Sequence, residues 1–176
     1  FWRGFTDNYL ELVKVRSRSE TDAAGRASAV ATLRTALSVL LRLFAPFVPY
    51  ITEEVWSWAF AEETGHKSIH RAPWPAASEL PAAAEEHKDL FETAVAVLGA
   101  INKRKSEAGV SVGRSITSME LAANAATEAL LKPALSDVLG AVRASGCSVT
   151  IKDSLADGEV EVVSVAFEGA AAEASS

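Results

Sequence analysis

Apolar residues recur at helical spacing along the first part of the chain. Phe1, Phe5, Tyr9, Leu12 and Val13 share one stripe of residues 1–18, with Trp2 beside it. Residues 19–27 mix Ser, Thr, Asp and Gly and read as a loop. Val30, Leu33, Leu37, Leu40, Leu41 and Phe44 then predict a helix over 28–45, with Arg34, Ser38 and Arg42 stacked four apart on another face. Two prolines interrupt the stretch "LLRLFAPFVPYITEEVW" (40–56). Pro46 lacks an amide donor and disfavours helical geometry at Ala45, so the helix is predicted to end there. Pro49 keeps the linker extended. Thr52 is predicted to cap a new helix, with Glu53 and Glu54 in its first turn, where the helix dipole favours negative charge. Trp56 and Phe60, four apart, should pack inward. The segment reads as a rigid corner between two buried helices.

Gly65 is expected to stop the second of these helices. "SIHRAPWP" (68–75) should run extended with Trp74 as its anchor, and 76–84 is a Pro/Ala-rich connector. Leu90, Phe91, Ala94, Val95, Leu98 and Ile101 form the stripe of a long helix over 86–108, stopped at Gly109. The period then changes. "SITSMELA" (115–122) and "CSVTIKD" (147–153) alternate like strands, and "EVEVVSVAFE" (159–168) follows the turn signal Asp157-Gly158. Residues 125–143 between them are helical, restarted at Pro133 and closed by Ser145-Gly146. The expected fold class is α+β. A helical bundle over 1–112 precedes a small β-α-β-β domain over 113–168, and the Ala/Glu/Ser tail, 169–176, reads as disordered.

Composition narrows the function. A chain of 176 residues with 49% hydrophobic content is globular, and its net charge of −6 argues against a generic nucleic-acid coat. Any nucleic-acid site must be a local basic patch. Arg34, Arg42, Pro46 and Pro49 interrupt the longest apolar run, so no stretch is expected to reach the roughly 18 residues that span a bilayer. No signal peptide is read. The lone Cys147 excludes an internal disulfide and fits a reducing, cytoplasmic compartment. The first residue is Phe1, already inside a predicted helix, and the chain reads as a piece of something longer.

Catalytic and metal motifs are not apparent. No nucleophile elbow, P-loop or dinucleotide fingerprint occurs, and His66, His70 and His87 lack partners at metal-ligand spacing. Glu53-Glu54 point about 100° apart on a helix, which suits capping better than acid–base work. Cys147 on a strand reads as a small buried hydrophobe. The remaining candidates are basic. Lys14, Arg16 and Arg18 crowd the end of the first helix, and Lys103, Arg104 and Lys105 the end of the long one. Cations there also complement a helix dipole. Arg34 and Arg42 share a face that the dipole does not explain. All eight suit phosphate contacts. Exposed aromatics for base stacking are not evident, because most aromatics lie on apolar stripes.

"WRGFTDNYLELVK" (2–14), "LLRLFAPFVPYITEEVW" (40–56) and "SIHRAPWP" (68–75), in this order, resemble the anticodon-binding region of class I aminoacyl-tRNA synthetases of the valine, isoleucine and leucine group. Phe5, Asp7, Tyr9, Leu10, Glu11 and Lys14 match a Phe-x-Asp-x-Tyr-(Ile/Leu)-Glu-x-x-Lys pattern of the valyl family, and "INKRKSEAGVSV" (101–112) resembles the junction after its bundle. The resemblance covers residues 1–115 well and the β-α-β-β part more loosely. It implies binding of the anticodon stem-loop of tRNA-Val, within a parent enzyme that joins valine to tRNA with ATP and magnesium. No cofactor is expected in this chain. The family's His-Ile-Gly-His-like and Lys-Met-Ser-Lys-Ser-like motifs do not occur here, so the catalytic and editing domains of the parent become expected partners and the chain is expected to be inactive alone. The bundle is expected to be truncated at its N-terminus, and no coiled-coil arm is expected. The alternatives are the same domain of an isoleucyl or leucyl enzyme, and a helical protein-interaction module with no nucleic-acid role. No membrane partner is expected.

Overall fold

The computed structural model describes residues 2–80 and 85–169. The side chains of Trp2 and His87, part of the 76–84 connector and the tail beyond Gly169 lie outside the described residues. In chain order, a wide helical segment Trp2–Tyr9 runs into α1 (Leu10–Val13) and a tight turn Arg16–Arg18. There follow α2 (Ala23–Phe44), α3 (Pro49–Ala59), α4 (Ala61–Thr64), α5 (Glu85–Glu107), β1 (Ile116–Ala123), α6 (Ala125–Leu131), α7 (Leu135–Val142), β2 (Cys147–Ile151) and β3 (Val160–Phe167). The α+β class and the β-α-β-β order agree with the sequence reading. The chain forms two compact units, one of residues 1–19 with 83–176 and one of residues 20–82.

In the first unit the sheet order is β2-β1-β3, with β1 parallel to β2 and antiparallel to β3. The central strand buries Ile116, Met119, Leu121, Ala122 and Ala123, so strict alternation gives way to a strand covered on both faces. Asn124 caps α6 by accepting from the Thr127 amide at 2.8 Å. Pro133 lies in a short tight turn between α6 and α7, as its missing amide requires. Helix α5 was expected to belong with the helical part, yet it packs on the sheet. Its Ala94, Val97, Leu98 and Ile101 share one core with Leu12, Ile116, Leu121 and Val142. Gly109, with φ +67°, turns the chain out of α5 as predicted.

In the second unit the proline corner forms as predicted at its first half only. Helix α2 ends at Phe44, before Pro46. It begins earlier than expected, because Asp22 caps it by accepting from the Gly25 amide at 2.8 Å. Pro49 is the first residue of α3 and does not extend the linker, since a proline at the first helical position gives up an amide that would have no partner. Thr52 therefore does not cap a helix. It lies inside α3, 3% exposed, and its hydroxyl donates to the Val48 carbonyl at 2.9 Å. Glu53 is likewise no dipole partner: it accepts from the Ser68 hydroxyl at 3.0 Å and the Ile69 amide at 2.9 Å. Trp56 and Phe60 pack inward as expected, rings 5.3 Å apart, in a core with Leu41, Ala45 and Ile69. Ile69 anchors the 68–75 segment. Trp74, the expected anchor, is 62% exposed.

The expectation that no apolar run is long enough for a bilayer is corrected by α2. By length and composition that helix is long and apolar enough to cross a membrane, with a mean hydropathy of 1.4 over its best window. Only 17% of the window is buried, so apolar side chains such as Val30 and Leu37 stand at the surface.

Candidate nucleic-acid interface

The basic residues fall into three environments. In the first unit, Lys14 is exposed and pairs with Glu11 at 3.0 Å, one turn back on the same helical segment. Arg16 turns toward α7 and pairs with Asp137 at 3.1 Å, with its Nε buried. Arg18 is exposed, and its guanidinium makes no ion pair among the described residues. Lys14 and Arg18 line one open groove of about 510 Å³, and Arg16 faces away from it.

The second cluster does not hold together. Lys103 is exposed, 4.0 Å from Glu107. Arg104 reaches the sheet, donating to the Val162 carbonyl at 2.8 Å. Lys105 is a correction: it is fully buried and cannot touch a phosphate. Its ammonium donates to the carbonyls of Val112 at 2.7 Å, Arg114 at 2.8 Å and Val142 at 2.8 Å, which uses all three of its hydrogens. Desolvation, and then the nearby Arg143 charge, push its pKa below the ordinary lysine value. The signal for this was present. Lys105 continues the spacing of Ala94, Leu98 and Ile101, the buried stripe of α5.

In the second unit, Arg34 lies 5.0 Å from the Phe60 ring centre and pairs with Glu63 at 2.6 Å, half exposed. Arg42 is the second correction. It is 7% exposed and grips Glu79 with both terminal nitrogens, while its Nε donates to the Ser38 carbonyl at 3.1 Å. This fork-to-fork pair ties α2 to the 77–79 turn. It holds the Glu79 carboxyl down to about 2. Arg42 is a strut and is not available to a ligand. Conversely, the sequence reading missed exposed aromatics: Phe47, Tyr50, Trp58 and Trp74 are 62% exposed or more.

The family model described as "Anticodon-binding domain of tRNA ligase" matches residues 1–120. The chain belongs to this family of anticodon-binding domains. The match ends inside β1, so most of the sheet and the helices α6 and α7 lie beyond it. Similar curated proteins are valine–tRNA ligases. That of Anaplasma marginale is 45% identical over 64% of this chain, and that of Cutibacterium acnes 42% identical over 78%. That of Bifidobacterium longum is 40% identical over 83%. The chain spans only 13 to 16% of the length of these relatives. The match takes in the whole 20–82 unit and part of the other, and of the eight basic candidates Lys14, Arg18, Arg34, Lys103 and Arg104 are exposed.

Proposed function

We propose that this chain holds the anticodon stem-loop of tRNA-Val for a parent valine–tRNA ligase, which joins valine to that tRNA using ATP. The observation that carries the reading is the family match over residues 1–120, supported by 40 to 45% identity to valine–tRNA ligases. Residues 1–112 supply most of the RNA-facing cations, and residues 113–168 complete the unit that carries Lys14 and Arg18. Lys14, Arg18, Arg34 and Lys103 make the phosphate contacts, with Arg16 and Arg104 partly engaged by the fold. The catalytic and editing domains of the parent, where ATP and magnesium act, are partners of this chain in the cytoplasm. Alone it does not ligate valine, because it carries neither family nucleotide-binding motif.

The exposed Phe47, Tyr50, Ile51 and Trp58 fit an apolar contact with the rest of the parent chain, and the apolar surface of α2 serves the same docking rather than a membrane. The same face, with the net charge of −6, favours one competing reading, a helical protein-interaction module. A titration with a valine-tRNA transcript at low salt separates them. Tighter binding than to the same transcript with an altered anticodon supports anticodon recognition, and absence of binding to either transcript overturns it.

A further inference from the structure

The groove that Lys14 and Arg18 line has a third cation, which the sequence did not single out. Arg143 follows the last residue of α7 with φ +57°, the left-handed conformation that ends helices and that glycine adopts most easily. Its backbone carbonyl accepts from the Ile116 amide at 2.9 Å, so the turn is fixed to the central strand. Its exposed side chain donates to the Gly113 carbonyl at 3.2 Å and meets no carboxylate among the described residues. Arg18 in the same lining likewise makes no ion pair among the described residues, and among them Glu11, bound to Lys14, is the only acid in the lining. The buried Lys105 ammonium adds positive charge near Arg143. On a chain of net charge −6, three cations against one carboxylate make a local anion site. The two walls are held at contact distance, because Gly140 of α7 meets Val15 where a Cβ would lie 3.0 Å away.

We propose that this groove binds the phosphodiester backbone of the bound RNA through Lys14, Arg18 and Arg143. Such contact positions the RNA without reading bases. The proposal rests on the tRNA-binding reading and extends it to residues beyond the family match. At this left-handed position arginine gives up the conformational ease of glycine and brings a charge to the groove.

The test uses the 176-residue chain and a valine-tRNA transcript, with the anticodon-altered transcript beside it, titrated from about 50 to 200 mM salt. Arg143→Gly suits the left-handed backbone, so its thermal midpoint should match wild type while the charge is gone. Each lost phosphate contact shrinks the salt-driven loss of affinity by roughly threefold over that range. Arg143→Gly, and further Arg143→Gly with Arg18→Ser, should therefore weaken both transcripts equally and flatten the salt slope stepwise. Glu11→Gln should tighten binding and steepen it. If wild type prefers the intact anticodon but these variants leave affinity and slope unchanged, the groove proposal falls and the tRNA reading stands. If wild type binds both transcripts equally and the variants weaken both, the groove stands and anticodon reading falls. Absence of binding by wild type overturns both.

Discussion

Replacing Lys105 with Met removes a charge and three hydrogen bonds while keeping a side chain of similar length. The ammonium donates to three carbonyls at 2.7 to 2.8 Å, and bonds to a charged group contribute about 1.5–3 kcal/mol each. Their sum is offset by the desolvation that a buried ammonium incurs, which amounts to several kcal/mol. Two of the carbonyls, on Val112 and Arg114, belong to an exposed stretch and regain water after a small shift. The third, on Val142, lies at the end of α7 in the core and does not. The net loss should be about 3 kcal/mol, at the low end of the cost of breaking a buried charged contact. Urea unfolding followed by far-ultraviolet circular dichroism measures it. Three of the four tryptophans, Trp56, Trp58 and Trp74, belong to the 20–82 unit, so tryptophan fluorescence is the wrong probe for this site. The pH dependence has a definite sign. The folded pKa lies below the ordinary 10.5, so between the two values the unfolded chain binds more protons and stability rises with pH. Lys105→Met lacks that rise, so the stability gap between wild type and variant should widen as pH approaches 10.5. A Met variant within about 0.5 kcal/mol of wild type, or a gap that narrows with rising pH, would refute the reasoning.

Trp56→Ala should destabilise the 20–82 unit by about 3–5 kcal/mol, because the ring is 1% exposed and its Nε1 donates to the His66 carbonyl at 2.8 Å. Wild-type unfolding by circular dichroism would contradict the corner packing. The Arg42 guanidinium depresses Glu79, so the stability this pair provides is complete above the ordinary 4.5 and is lost as pH falls toward about 2. Acid titration of Glu79→Gln should lack that slope, and an unchanged acid profile would show that the pair does not couple to folding. Gly140→Ala sets a helix-propensity gain of up to about 1 kcal/mol against overpacking of about 1–3 kcal/mol where the new Cβ meets Val15. The net should be a loss of about 1 kcal/mol in unfolding free energy, and an equal or higher stability would mean that the segment beside α1 gives way freely.

Periodicity and proline chemistry made most elements legible. The end of α2 before Pro46, the break at Pro133 and the turn at Gly158 all follow from local backbone rules. Side-chain fate was less legible, because it depends on partners far along the chain. Arg42 looked like a surface cation until Glu79, remote in sequence, closed on it. Trp74, between two prolines, was read as an anchor, yet the smaller Ile69 fills that place. Pro49 carries two meanings, linker or first helical residue, and only the tertiary course of α3 selects between them. Of the candidate site, Lys14 and Arg18 were read as cations near one helix end. Arg143 was missed because Ser145-Gly146 marks the stop in sequence, while the backbone turns earlier. Gly146 serves another purpose, since a Cβ there would sit 3.3 Å from the Thr117 carbonyl of β1.

The first unit is discontinuous: residues 2–19 pack with elements that follow the whole 20–82 unit. During synthesis this orders the events. At about 5–20 residues per second, the roughly 130 residues from Val13 to Val142 take on the order of ten seconds to emerge. The 20–82 unit has all its own contacts available well before then, whereas Leu12 stays without its core until α7 has left the ribosome. Through that interval the amphipathic start of the chain is exposed to chaperones and to misassociation, although its Leu12 and Val13 end up buried.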